Sequence, residues 1–371
     1  MLTAEIQTMS GSPCELTIVI PTFREQENIG PLVELVRKAL STISWEMIFV
    51  DDNSGDGTAE TVWEISRSDS RVRCIKRVGR RGLSSACIEG MLATGAPYIA
   101  VMDADLQHDP MLLSSMLDIL RKDQVDLVIA SRYLPGGSVG DWEVNRLRIS
   151  SFATLLSRLI TRGPVSDPLS GYFMLRRGVF ESEVERLSSL GFKIMLDIIA
   201  SSPTPLRIAE VPLQFGKRHA GESKLSANVA FEFLILIADK LFGRYVPAHF
   251  VAFGAVGAAG VFVHFAVLTA AFKVAGLNFP VSNATAVIFA MIFNYSINNV
   301  LTYGDVSRKG WAWLRGLASF MVICGVGAVA NVGIASYLFG QHALWPLAAI
   351  AGIGVGVVWN YTVTSRYTWG K

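Results

Sequence analysis

The rhythm of apolar and polar positions changes once along this chain. Up to about residue 245, short apolar runs alternate with stretches that are apolar at every third or fourth position. Residues 16–20 form a continuous, β-branched run stopped by Pro21, which predicts a strand buried on both faces. Residues 45–50 read as a second strand and 72–76 as a short one, and 98–102 and 125–130 as further buried strands. Between them, 28–40 and 59–68 carry helical, one-sided apolar spacing. Strands alternating with helices predict a Rossmann-like α/β domain, a mostly parallel sheet with helices on both faces. Residues 147–159 and 228–244 also read as amphipathic helices. The second carries Phe231, Phe233, Leu234, Leu236, Ile237 and Leu241, and such a helix can lie in the plane of a membrane interface.

Past residue 245 the pattern becomes four charge-free apolar stretches, at 251–272, 279–301, 317–340 and 343–365. Each matches the roughly 20 residues a helix needs to cross the hydrocarbon layer. The expected organisation is therefore a soluble domain over 1–227, a juxtamembrane helix over 228–244 and an all-α, four-helix transmembrane domain over 245–371. The membrane part also repeats itself. Phe293-Asn294-Tyr295-Ser296-Ile297 is echoed by Trp359-Asn360-Tyr361-Thr362-Val363, an offset of 66. The two asparagines have two readings, as hydrogen bonds between helices or as contacts with a lipid carrier.

Charge agrees with this division. Of 33 Lys+Arg and 31 Asp+Glu, only six basic residues and Asp305 follow Arg244, so the first 244 residues are net −3 and the rest net +5. Arg308, Lys309 and Arg315 lie between the second and third spans, and Arg366 and Lys371 lie at the end, whereas the opposite side offers only Lys273. The positive-inside rule places both termini in the cytoplasm, which for a prokaryotic chain means the plasma (inner) membrane. No apolar signal segment precedes the first strand, so the large domain is expected there too. Cys14, Cys74, Cys87 and Cys324 are scattered without metal spacing, which fits a reducing compartment.

In open parallel sheets ligands bind at the carboxyl ends of the strands, and this is where the chain turns polar. Pro21-Thr22-Phe23-Arg24-Glu25, Asp51-Asp52-Asn53-Ser54, Asp103-Ala104-Asp105-Leu106-Gln107-His108 and Ser131-Arg132-Tyr133 each follow a predicted strand. Asp103 and Asp105 can face one hard cation, and Gln107 adds a neutral oxygen. That set suits Mg²⁺ or Mn²⁺, with substrate phosphates completing the shell. His108 is expected in an exposed turn. No Gly-x-Gly-x-x-Gly follows the first strand, which counts against a dinucleotide cofactor. Gly254, Gly257 and Gly260 lie in a membrane helix, where small residues serve close packing.

These motifs, in this order, resemble the dolichol-phosphate mannose synthases and related polyprenyl-phosphate glycosyltransferases of the GT-A, family 2 type. Gly82-Leu83-Ser84-Ser85-Ala86, Asp167-Pro168-Leu169-Ser170-Gly171-Tyr172-Phe173, Gly191-Phe192-Lys193 and Phe215-Gly216-Lys217-Arg218…Gly221-Glu222-Ser223-Lys224 extend the likeness over about 15–225. Phe23 stands where the family usually has tyrosine, and Arg24 where asparagine is usual. The membrane part is similar to the GtrA-like four-helix family. The resemblance implies that Pro21, Phe23, Glu25, Val50 and Asp52 hold a nucleoside, and that Asp103, Ala104, Asp105 and Gln107 hold the metal and diphosphate. It implies that Arg132, Arg218 and Lys224 bind the donor and acceptor phosphates, with Arg148 a further phosphate ligand and Arg146 its competitor. Asp105, Arg132, Arg148, Arg218 and Lys224 are thereby the expected catalytic set.

The chemistry fits this inventory. A lipid phosphate is already ionised at pH 7 and attacks an anomeric carbon without a general base, so the site needs cations more than a catalytic histidine. The expected reaction is metal-dependent, inverting transfer of one sugar, mannose from GDP-mannose, to dolichyl or polyprenyl phosphate. UDP-glucose or another UDP-sugar is the alternative donor. A processive polysaccharide synthase shares the fold, but no Gln-x-x-Arg-Trp is present. A lipid-linked sugar flippase with a sugar-nucleotide-binding module is the non-enzymatic alternative.

Overall fold

The computed structural model describes residues 14–122, 124–140, 144–161, 163–188, 191–216, 227–242, 248–303, 307–342 and 344–370. The chain divides into two compact units, Met1–Leu241 and Phe242–Lys371.

The first unit is built on seven strands. In chain order they are β1 (Leu16–Thr22), β2 (Trp45–Asp51), β3 (Val72–Lys76), β4 (Tyr98–Val101), β5 (Leu127–Ser131), β6 (Phe173–Arg176) and β7 (Ile208–Pro212). They lie in the order β3-β2-β1-β4-β6-β5-β7, and only β6 runs antiparallel to its neighbours. Side chains alternate across the pleat. Leu16, Ile18 and Ile20 pack on one face with helices α1 (Gln26–Ala39), α2 (Thr58–Ser68) and α4 (Leu112–Arg121). Val19, Ile48 and Val50 pack on the other with α3 (Leu83–Leu92), α6 (Arg177–Glu183) and α7 (Ile194–Ser201). Burial on both faces is why the central strands are continuous apolar runs.

The topology locates the crevice. From β1 the chain moves outward through β2 and β3, then returns to place β4 on the other side of β1. Strand order reverses there, so the loops after β1 and β4 diverge and leave a cleft at their carboxyl ends. Because β6 is antiparallel, the segment preceding it reaches the same edge of the sheet.

Two helices complete the unit. α5 (Val144–Ser157) and α8 (Ala227–Phe242) contribute to a small core in which Leu236 and Ile237 meet Ile160, Leu169 and Leu196. Lys240 Nζ is 2.6 Å from Asp197 Oδ1, a fully buried carboxylate on α7. Facing outward are Phe152, Leu155 and Leu159 near α5, and Leu234 and Leu241 on α8.

The second unit is helical. α9 (Ala248–Thr269) runs into a π-helical turn, and α10 (Phe279–Ile297) into another at Asn298–Thr302. α11 (Trp311–Gly340) and α12 (Trp345–Tyr367) follow. Among the described residues, three helical spans, His249–Val274, Phe279–Thr302 and Trp311–Leu338, are long and apolar enough to cross a bilayer. The repeat seen in the sequence has a structural counterpart. Asn294 on α10 sits against Gly260 on α9, and Asn360 on α12 sits against Gly327 on α11; a Cβ at either glycine would collide with the facing Oδ1. Neither Oδ1 has a hydrogen-bond partner among the described residues. Tyr295, Tyr303, Phe320 and Trp369 form an aromatic core, with Trp369 stacked on Tyr303 at 4.1 Å.

Candidate active site

Three strand-end loops each contain one residue held in the left-handed region despite carrying a side chain. They are Arg24 (φ 58°) after β1, Asn53 (φ 54°) after β2 and Leu106 (φ 62°) after β4. Such backbone is costly and persists where surrounding contacts enforce it. The contacts are visible. Arg24 N–H donates to Ser54 Oγ at 2.8 Å, and Ser54 N–H to Asp51 Oδ2 at 3.0 Å, so the β1 loop is tied to the β2 loop. Ser54 Oγ also donates to Asp51. Glu25 is buried; its N–H donates to Thr58 Oγ1 and its carboxylate accepts from Asn28 Nδ2 at 2.7 Å. Pro21 and Phe23 are half-buried beside this knot. The Val50 side chain points the other way, wholly within the core on the α3 side.

Asp52 is organised by a residue that sequence reasoning missed. Arg77, just past β3 and 1% exposed, donates to Asp52 Oδ1 at 2.6 Å, to Gly82 O at 3.0 Å and to Ser85 Oγ at 2.6 Å. Gly82 N–H donates to Asp52 Oδ2 at 2.7 Å. Gly82 adopts φ 139°, which a side chain would strain. Burial pushes the Asp52 carboxyl above its usual range, opposed by Gly82 N–H and Arg77. Arg77 sits among Lys76, Arg80 and Arg81, and nothing in that basic run marks which cation is buried.

After β4, Asp103 is partly exposed and Asp105 is buried, with Asp105 Oδ1 accepting from Gln107 N–H at 3.1 Å. Ala104 between them has its methyl in the core. His108 is a correction: it is 3% exposed, not a surface turn residue. It stacks on Tyr172 at 5.1 Å and meets Phe215 edge-on at 5.8 Å. Burial pushes its imidazole down to about 4, so the ring is neutral and Nδ1 accepts from Asp103 N–H at 3.1 Å. Tyr172 and Phe215, far along the chain, create that burial. Gly171 leaves room beside it, since a Cβ there would lie 3.2 Å from Asp103 Oδ2 and 3.5 Å from His108 Cε1.

Gln107 Nε2 donates to Gly216 O at 3.0 Å, and Gly216 N–H returns a bond to Gln107 O at 2.9 Å. The strand end after β7 thus joins the Asp103–Gln107 loop. Arg218 and Lys224 lie outside the described residues, as do the side chains of Arg146 and Arg148 on α5.

Arg132, after β5, is held by Asp167. Its Nε and Nη2 donate to the two carboxylate oxygens at 2.7 Å each, and Asp167 is fully buried. Arg132 also lies near the rings of Tyr133 and Phe215, at 5.7 and 5.8 Å. Glu210 on β7 accepts from Ser166 N–H and Oγ, and Ser131 Oγ bonds Ser166 Oγ at 2.6 Å. The Asp167 loop is therefore fastened to both β5 and β7. The strand ends bring Phe23, Glu25, Asp52, Asp103, Asp105, Gln107 and Arg132 to one edge of the sheet. The edge is rich in oxygen donors and carries a fixed guanidinium, suited to a phosphorylated ligand.

Comparison with known proteins decides the family. The glycosyl transferase family 2 profile matches residues 17–183, and the GtrA/DPMS transmembrane domain profile matches 252–369. The dolichol-phosphate mannosyltransferase of Pyrococcus furiosus is 33% identical over 357 residues, spanning 96% of this chain and 99% of that protein. The chain belongs to the dolichol-phosphate mannosyltransferase family. The Saccharomyces cerevisiae dolichol-phosphate mannosyltransferase is 38% identical over 229 residues, covering 59% of this chain and 84% of that one. The polyprenol monophosphomannose synthase of Mycolicibacterium smegmatis is 33% identical over 228 residues, covering 60% and 85%. Among solved structures, a glucosyl-3-phosphoglycerate synthase from Mycobacterium tuberculosis aligns with a TM-score of 0.46 at 19% identity, covering 61% of this chain and 80% of that one. This family member is a membrane-embedded glycosyltransferase. The family 2 match contains the Phe23, Asp52, Asp103–Gln107, Arg132 and Asp167 constellation, and the membrane-domain match contains the Asn294/Asn360 repeat.

Proposed function

We propose that the enzyme transfers mannose from GDP-mannose to a dolichyl or polyprenyl phosphate in one inverting displacement. The observation that carries this reading is the likeness to the Pyrococcus furiosus dolichol-phosphate mannosyltransferase along nearly the whole of both chains. Pro21, Phe23, Glu25 and Asp52 hold the nucleoside, and Val50, whose side chain lies in the core, contributes through its backbone. The Asp103–Gln107 loop receives the diphosphate.

Asp103, Asp105 and Gln107 would hold Mg²⁺ or Mn²⁺ together with the donor phosphates. The donor set supports this: every candidate ligand atom is a hard oxygen. The remaining ligands of such an ion would come from substrate phosphates. When bound, the ion supplies positive charge to the departing diphosphate. Arg132, fixed by Asp167, joins Arg148, Arg218 and Lys224 in holding the phosphates in line. The acceptor phosphate is ionised at neutral pH, so no side chain needs to remove a proton. The neutral, buried His108 serves the backbone of Asp103, not the acceptor.

The outward apolar faces of α5 and α8 suit an interfacial position at head-group level. α12, a 23-residue helix within the GtrA/DPMS match, makes the fourth span, with both termini in the cytoplasm. The donor is tested by incubating purified enzyme and polyprenyl phosphate with labelled GDP-mannose or UDP-glucose and Mn²⁺ or Mg²⁺. The expected result is organic-extractable, β-linked mannose from GDP-mannose alone. Transfer from UDP-glucose, or an α-linked product, contradicts the reading.

A further inference from the structure

We propose that Arg81 is a specificity-determining residue that recognises the acceptor edge of a purine base in the donor nucleotide. The inference rests on the GDP-linked donor proposed above and assigns the base preference to one side chain. The loop after β3 carries three arginines, and their surroundings differ. Arg77 is buried against Asp52 at 2.6 Å, and Arg80 pairs with Glu89 at 2.8 Å. Arg81 is exposed and makes no hydrogen bond or ion pair among the described residues; its guanidinium lies 4.6 Å from the centre of the Phe23 ring. Arg24 lies 5.3 Å from the same ring.

A half-buried aromatic ring at a strand end, with a planar cation resting on it, is a stacking surface already in use. A nucleobase offers a better flat partner and would displace the guanidinium. The displaced group cannot travel far. Arg81 precedes Gly82, whose N–H is bonded to Asp52 and whose carbonyl accepts from Arg77, so the backbone next to Arg81 is pinned to the nucleoside carboxylate. The guanidinium therefore stays at the rim of a base stacked on Phe23. A guanidinium fork matches two adjacent acceptors, and guanine presents O6 and N7 in that arrangement. Uracil presents a single carbonyl oxygen on the corresponding edge and leaves half of the fork unused. The uncancelled charge of Arg81 also favours any nucleoside diphosphate, but only the paired acceptors distinguish one base from another.

The test uses the full chain in detergent with Mn²⁺, measuring competition of GDP, 7-deaza-GDP and UDP against labelled GDP-mannose. Wild-type enzyme is expected to hold GDP about tenfold more tightly than 7-deaza-GDP, which keeps O6 and lacks N7. In Arg81→Ala, GDP weakens about tenfold and the two guanine nucleotides become equivalent, while UDP changes by less than about threefold. Arg81→Lys retains the charge and also loses the discrimination. An Arg81→Ala protein that keeps the full GDP to 7-deaza-GDP ratio overturns this assignment and leaves the donor reading intact. A wild-type enzyme that binds UDP more tightly than GDP overturns both.

Discussion

Asp167 accepts the Nε and Nη2 hydrogens of Arg132 on its two carboxylate oxygens, at 2.7 Å each, from a fully buried position. This fork-to-fork pairing fixes the plane of the guanidinium and adds direction to its charge. Asp167 is thus a positioning residue for Arg132. Removing one partner of a buried pair leaves an uncompensated charge, so Asp167→Ala should cost about 3 kcal/mol of stability. Asp167→Asn keeps the shape and should lower kcat for sugar transfer more than it raises the donor KM. Thermal unfolding and steady-state kinetics of both variants check this, with Arg132→Lys as the control that keeps the charge and loses the fork.

His108 holds Asp103 through its backbone. His108→Phe keeps the ring that stacks on Tyr172 and removes the acceptor for Asp103 N–H. The variant should fold. The Mn²⁺ concentration giving half-maximal activity should rise about tenfold, in line with loss of a group that orients a ligand. Metal titration of the transfer rate measures it.

Arg77 and Asp52 form a second buried pair. Arg77→Met leaves a carboxylate whose ionisation is already disfavoured by burial, and should destabilise by about 3 kcal/mol. Arg77→Met combined with Asp52→Asn removes both charges and should recover most of that stability without recovering donor binding. Denaturant unfolding and donor KM separate the two effects.

Asp69, which follows α2, takes hydrogen bonds from Arg71 and Arg37, and these hold its carboxyl well below the usual carboxylate range. A carboxyl depressed on folding contributes its full stabilisation above the unfolded pKa of about 4 and loses it as pH falls below that. Asp69→Asn should therefore destabilise the protein at pH 7, and the gap to wild type should shrink toward pH 3. Unfolding midpoints across that range test it.

The parts of the fold that were legible in the sequence share a cause. Strands β1, β4 and β5 are almost wholly buried and read as apolar runs, and β2 departs from that only at Glu46 and Asp51. β6 is four residues long and follows a polar loop, and β7 is interrupted by Glu210 and ends at Pro212. Glu210 is retained in β7 because it accepts from Ser166, a contact no local pattern shows. The polar strand ends were visible as motifs, but their internal wiring was not. His108 owes its burial to Tyr172 and Phe215, and Arg77 owes its role to Asp52 and Gly82, all brought close only by folding. The asparagine echo was readable as a repeat, whereas the glycine facing each asparagine lies on the preceding helix.

The central claim is that the strand-end carboxylates direct sugar transfer to a lipid phosphate. Its most direct test is product formation by purified wild-type and Asp105→Ala enzyme, given labelled GDP-mannose, Mn²⁺ and either polyprenyl phosphate or the matching polyprenol. The account predicts mannosyl lipid from the phosphate only, and a loss of at least about a hundredfold in Asp105→Ala. Full activity in Asp105→Ala, or equal transfer to the unphosphorylated alcohol, would contradict it.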